Sequence, residues 1–192
     1  MVLVLLIGDL HIPHRAIDLP PKFRALLTPG KIQQILCTGN LIDRETLDYL
    51  RTVSNDIQLV KGDFDDPYTL FSPSYHGQSL TSSTAGGAGG SVARQSGVDI
   101  VVVGGGDHRM FIKEHGGRLY INPGSPTGAY SAIGGEPVEV SEDSEEKYAE
   151  KVPSFVLLDV QGPVVVIYKY KLINDRAQTR RRRGGAPQPA DA

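Results

Sequence analysis

Asp9 and His11 form an Asp-x-His pair directly after an apolar run, Val2 to Ile7. Residues two apart at a strand end leave the chain on the same side, and a carboxylate beside an imidazole suits a first-row transition metal. Alone, such a pair is an ordinary strand ending. It is joined here by "GNLID" (Gly39 to Asp43), "GDFD" (Gly62 to Asp65) and "GGDH" (Gly105 to His108), each following a further apolar run. Every one of these stretches sets a glycine and a polar ligand-type residue at the carboxyl end of a candidate strand, where open α/β sheets place their sites.

The elements that must hold those residues follow from hydrophobic pattern. Val2 to Ile7, Ile32 to Cys37, Ile57 to Val60 and Val101 to Val103 read as short buried strands. Lys22 to Leu27 and Arg44 to Val53 read as helices between them. Pro20 and Pro21 suit a first helical turn, and Thr46, Leu47, Tyr49 and Leu50 supply an apolar stripe. This alternation is the βαβ rhythm of a parallel sheet. From Arg109 onward it gives way to Phe111 to Glu114, Leu119 to Ile121, Phe155 to Val160 and Val164 to Leu172, strands with no helical pattern between them. That half is expected to be antiparallel, so the contrast predicts two sheets packed face to face with helices outside.

A chain of 192 residues with 40% hydrophobic and 22% charged content fits one globular domain, expected over residues 1–173. No apolar run approaches the length of a membrane span, and "MVLVLLIGD" reads as a core strand rather than a leader. The single cysteine, Cys37, excludes an internal disulfide framework and favours a reducing, cytoplasmic setting. Residues 79–97, rich in Gly and Ser, read as a flexible segment, and residues 134–151 as a solvated acidic loop. Residues 174–192, basic and then Pro/Gly-rich, are expected to form a disordered tail. Its run Arg180 to Arg183 lacks interleaved aromatics and the net charge is −2, so no specific nucleic-acid partner is expected. His14 and Arg15 read as solvated loop residues, His115 as part of a hairpin turn, and "INPGSPTGAY" as a tight turn bracing the site.

The ordered motif series resembles the calcineurin-like metallophosphoesterases. More closely, "LIGDLHIPHR", "PGKIQQILCTGNLID", "KGDFDD", "YINPGSPTGAY" and "VPSFVLLDVQ" resemble the small phosphoesterase-like subunits of the retromer coat. The likeness covers most of residues 1–172 and breaks between about Asp66 and Ser96. It implies a four-layer α/β/β/α sandwich and, for the metal, the ligands Asp9, His11, Asn40, Asp63 and His108. Where active relatives carry a metal-bridging aspartate this chain has Asn40; where they carry a proton-donating histidine it has Phe64; where they carry a Gly-His-x-His ligand it has Gly106. A phenyl ring cannot protonate a leaving oxygen, and lost general-acid help costs a factor of roughly 100 to 10,000. The remaining set suits one weakly held divalent ion, zinc or manganese, rather than a two-metal centre. The likeness therefore implies no required cofactor and a non-catalytic scaffold, with a weak metal-dependent phosphodiesterase as the alternative.

Two partner faces follow from the same likeness. The degenerate metal face would dock on the helical-solenoid retromer subunit, vacuolar protein sorting 35. An opposite apolar patch of Leu3, Leu26, Leu27, Leu157 and Tyr170 would receive endosomal regulators, although core packing is the default for each leucine. Tyr168 and Tyr170 share one strand face and are flanked by Lys169 and Lys171, which suits a partly exposed binding surface. Membrane contact would be indirect, through a complex peripheral on endosomes.

Overall fold

The computed structural model describes residues 1–65, 98–131, 152–162, 164–174 and 176–185. Strand β1 (Val2–Ile7) occupies the middle of the larger sheet because its inner residues are apolar on both sides, so neither face can meet water. It leads through helix α1 (Pro21–Leu26) to β2 (Gln34–Cys37), then through α2 (Arg44–Val53) to β3 (Ile57–Leu59). These three strands run parallel, in the register Leu5 to Ile35 and Ile35 to Ile57.

Helix α2 forms where its ends are satisfied locally. The Asp43 carboxylate accepts from the Thr46 N–H at 2.8 Å, Glu45 lies in the first turn and Arg51 in the last. Thr46, Leu47, Leu50 and Val53 are its buried face. Leu47, Leu50 and Val53, together with Phe23 and Leu27, pack on Leu5, Ile7, Ile35, Cys37, Leu59, Phe155 and Leu157.

After β4 (Ile100–Val102), β5 (Phe111–His115) and β6 (Arg118–Asn122) form a hairpin. Its two-residue loop is Gly116 and Gly117, both with positive φ, the conformation that matches strand twist in a tight hairpin. These strands make a second sheet in the order β4-β6-β5. The chain then returns: β7 (Ser154–Gln161) pairs antiparallel with β1, and β8 (Val164–Ile173) with β7. Val4, Leu6, Val156, Leu158 and Ile167 from the large sheet meet Ile121 of the small one, which makes the sandwich.

Among the described residues the layers are therefore helices, a six-stranded sheet and a three-stranded sheet. No helix among them covers the outer face of the small sheet, and residues 79–97, 134–151 and 186–192 lie outside the described residues.

One expectation is corrected. The stretch assigned to a disordered tail from residue 174 forms strand β9 (Arg176–Gly185), which pairs with the whole of β8 from Ile173 to Val164. Charge content misleads because strand pairing draws on backbone groups, and the β-branched, aromatic β8 offers a full row of them. Asn174, at φ 47, begins the reversal, a left-handed position that asparagine tolerates. The described strands thus extend to Gly185.

Cys37 is buried in β2, and burial pushes its thiol up to about 12. It should resist an aromatic disulfide reagent in mildly alkaline buffer while the protein is folded and react fully in guanidinium; rapid reaction of the native protein would contradict this packing.

Candidate metal centre

Three of the expected ligands converge. Asp9, His11 and His108 are buried, and their ligand atoms lie within 4.8 Å of one another. The two imidazole Nε2 atoms are 3.3 Å apart, and Asp9 Oδ1 is 4.0 Å from one and 3.8 Å from the other.

The backbone that delivers them is unusual. Asp9, His11, Asn40 and His108 all have φ between 50° and 57°, the left-handed region that residues with a Cβ avoid. Such conformations persist where surrounding contacts over-determine them. Here the Asp9 N–H donates to the Gly39 carbonyl at 2.9 Å and the His11 N–H to the Asn40 carbonyl at 3.0 Å. The Ser125 hydroxyl donates to the Asp9 carbonyl at 2.7 Å, and the Thr127 hydroxyl to the Leu10 carbonyl at 2.8 Å. The loop after β6 therefore braces the loop after β1.

That loop also sets the state of His108. Its Nδ1 lies 2.8 Å from the Ala129 carbonyl, which can only accept, so Nδ1 carries a proton and Nε2 faces the cluster. Burial, then the positive fields of His108, Arg15 and His14, holds His11 down to about 4, so its ring is neutral at physiological pH. Asp9 is held above the usual carboxylate range, by burial first. The His108 imidazole, the Asn40 amide and the Gly105 N–H pull it the other way, and Asp65 adds to the rise. A carboxyl buried with too little positive charge beside two inward-facing imidazole nitrogens fits one divalent cation. The 3.3 Å separation of the nitrogens is close to the edge of a tetrahedron with metal–nitrogen bonds of about 2.0 to 2.1 Å.

Asn40 and Asp63 play other parts. The Asn40 amide nitrogen donates to Asp9 Oδ1 at 2.8 Å, and its oxygen accepts from the Phe64 N–H at 3.1 Å. One lone pair of its oxygen is thus taken by the backbone, and the residue orients Asp9. Asp63 is exposed and stands outside the cluster. The acid that turns inward from that loop is Asp65, whose carboxylate accepts from the N–H groups of Asn40, Leu41, Ile42 and Gly62 at 2.7 to 3.0 Å. Asp65 was readable in "GDFD" only as one of two acids, since nothing in the spacing says which would meet four N–H groups. Asp107 is spent within its own turn, accepting from the Arg109 N–H at 3.1 Å.

Phe64 lies edge-on to the His11 ring at 5.2 Å, at the mouth of the cluster. The Arg15 guanidinium is sandwiched between Phe64 and Tyr130, 4.6 and 4.7 Å from the ring centroids, and donates to the Tyr130 carbonyl at 2.8 Å. Arg15, read as a solvated loop residue, is therefore part of an aromatic plate beside the cluster, with Phe64 51% and Tyr130 54% exposed.

The second expected patch is split. Leu27 and Leu157 are core residues, 2% and 8% exposed. Leu3, Tyr168 and Tyr170 are partly buried against that core, with Tyr170 stacked on Phe155 at 4.6 Å, while Leu26 is 41% exposed.

Residues 2–161 match the family model of the calcineurin-like phosphoesterase superfamily domain. Vacuolar protein sorting-associated protein 29 of Schizosaccharomyces pombe is 39% identical, over 97% of this chain and all of its own length. The crystal structure of Chaetomium thermophilum Vps29 complexed with a cyclic peptide matches at 38% identity and a TM-score of 0.71, covering 98% of each chain. Entamoeba histolytica Vps29 complexed with zinc matches at 33% identity and a TM-score of 0.71, over 95% of this chain and 99% of its own.

Replacing Asp65 with alanine leaves four backbone donors without their acceptor and should lower unfolding free energy by about 3 kcal/mol or more in a denaturant titration. Asp63→Ala, at an exposed position, should stay near the parent value.

Proposed function

This chain belongs to the calcineurin-like phosphoesterase superfamily and, within it, to the Vps29 family; from that footing we propose that it is a non-catalytic scaffold subunit of retromer. In this reading it docks on the helical-solenoid subunit, vacuolar protein sorting 35, and recruits regulators in endosomal transport. It works in the cytoplasm, peripheral on endosomes, and reaches the membrane through the complex. No helix among the described residues is long and apolar enough to cross a membrane.

The observation that carries this reading is the state of the ligand cluster. Asn40, in the position of the metal-bridging acid, has its oxygen tied to the Phe64 N–H, and Asp63 faces solvent. What remains, Asp9, His11 and His108, can hold one cation, with no second set of ligands among the described residues to hold another across the attacking water. Phe64, beside His11, brings an apolar ring and no proton. Bound there, a zinc or manganese ion would supply Lewis acidity and positive charge. Phe64, Arg15 and Tyr130 would present a partly apolar plate suited to a protein partner, since aromatics and arginine dominate binding energy at interfaces.

The surviving ligands favour one rival, a weak metal-dependent phosphodiesterase. Incubation with a generic aryl phosphodiester and manganese separates the two, and turnover no greater than that of His11→Ala is expected. Robust turnover abolished by His11→Ala would favour the enzyme. In a pull-down with the solenoid subunit, Phe64→Asp with Tyr130→Asp should weaken capture by about tenfold or more; undiminished capture would remove this face from the interface. The regulator patch is tested at Leu26, because Leu157 is buried and its replacement would test folding.

Calorimetric titration of zinc should show a single site per chain, lost in His108→Ala and kept in Asp63→Ala. At a free concentration of about 100 times Kd the ion should add about 2.7 kcal/mol to stability.

A further inference from the structure

The loop after β1 holds Arg15 in the aromatic plate and also walls a cavity. With the start of α2 and Arg24 of α1 it encloses about 350 Å³, within the roughly 300 to 1,000 Å³ of ligand pockets. Ile12 and Ile17 supply the apolar wall, and Ile17 is 94% exposed, a large apolar side chain left in water at the rim.

Three carboxylates, Asp18, Asp43 and Glu45, line the same cavity against one guanidinium, Arg24. That guanidinium is already engaged, 2.8 Å from Asp18 and 4.8 Å over the Tyr49 ring. Arg44, between the other two acids in sequence, is turned to Asp48 at 3.8 Å. Asp43 uses Oδ2 to accept from the Thr46 N–H at 2.8 Å, while its Oδ1 is withdrawn from water and meets no donor among the described residues. A carboxylate oxygen in that state costs free energy until a donor arrives. The cavity therefore carries unbalanced negative charge beside apolar surface. Among the described residues Asp9, His11 and His108 are the one group of three or more ligand residues that converges closely enough to hold a metal ion, so the acids of the cavity are spread for a larger cation.

We propose that this cavity receives an arginine side chain of the docking partner, its guanidinium between Asp43 and Glu45 and its aliphatic stem along Ile12 and Ile17. A planar fork of donors matches carboxylates too far apart for a single small ion, and the stem covers the apolar wall. The inference rests on the docking reading above and extends it: Arg15 and Ile17 belong to one loop, so the plate and the cavity adjoin along it. A cation on the partner also steers the encounter, since complementary charges speed association at low salt.

The test has two arms. In amide NMR spectra of the full chain, N-acetyl-arginine amide should shift the Ile17 and Thr46 resonances saturably, N-acetyl-glutamine amide should not, and Asp43→Asn with Glu45→Gln should remove the response. Asparagine caps a helix as well as aspartate does, so the melting temperature of that variant should stay close to the parent's. In calorimetry with the solenoid subunit the same variant should bind about tenfold more weakly, with the difference shrinking in high salt. No shift with the arginine derivative would overturn the proposal, and so would the same shifts produced by calcium chloride. Parent-like affinity of the double variant for the solenoid subunit would also overturn it, while Phe64→Asp with Tyr130→Asp reports separately on the docking face. A parent chain that failed to bind the solenoid subunit would overturn the docking reading and the partner assignment together, whereas the NMR arm judges the cavity on its own.

Discussion

The Asp65 carboxylate is the contact on which the site end of the sheet depends. Two loops that follow different strands, 38 to 43 after β2 and 60 to 65 after β3, have backbone donors crowded toward one point, and a single anion accepts from both. A buried carboxylate is tolerated there because its lone pairs are answered by N–H groups. The arrangement fixes Asn40 in its left-handed conformation; Asn40 then orients Asp9, and Asp9 sits between two imidazoles. The loop after β6 closes the other side through Ser125, Thr127 and the Ala129 carbonyl. A cluster held from so many directions keeps its shape whether or not it performs chemistry.

That rigidity suits a hydrolase ancestry and equally suits a docking surface. A catalytic pair of metals needs an anionic bridge and a proton donor. In their places stand an amide whose oxygen is already bonded and a phenyl ring half open to solvent. The same substitutions lower the charge of the face and add apolar area to it, and both changes favour protein contact. In the proposed reading, chemistry lost and surface gained are one set of substitutions.

Much of this was legible in the sequence. The Asp9–His11 pair and the GGDH stretch stood out because a sheet's periodicity and a metal's ligand preferences are both local rules, while the choice of His108 as a ligand came from the family resemblance. The first helix was bounded by Pro20 and Pro21, again local signals. What escaped reading depends on distant partners. Asp63 and Asp65 are chemically alike, and only the N–H groups of another loop decide which one turns inward. Leu27 and Leu157 are core while Leu26 is surface, a difference set by how α1 lies on the sheet. Arg15 acquires its role from Phe64 and Tyr130, far along the chain. The strand nature of residues 176 to 185 was hidden because their side chains argue for water while their backbone answers β8.

The pairing of β1 with β7 joins residues 2–6 to residues 156–160. During synthesis the opening strand, apolar on both faces, can acquire its parallel neighbour β2 early but must wait for most of the chain before its other side is covered. A nascent polypeptide of this kind presents a sticky, incomplete edge to the ribosome's surroundings for much of translation. Truncation near its far end would leave that side of β1 without its neighbour.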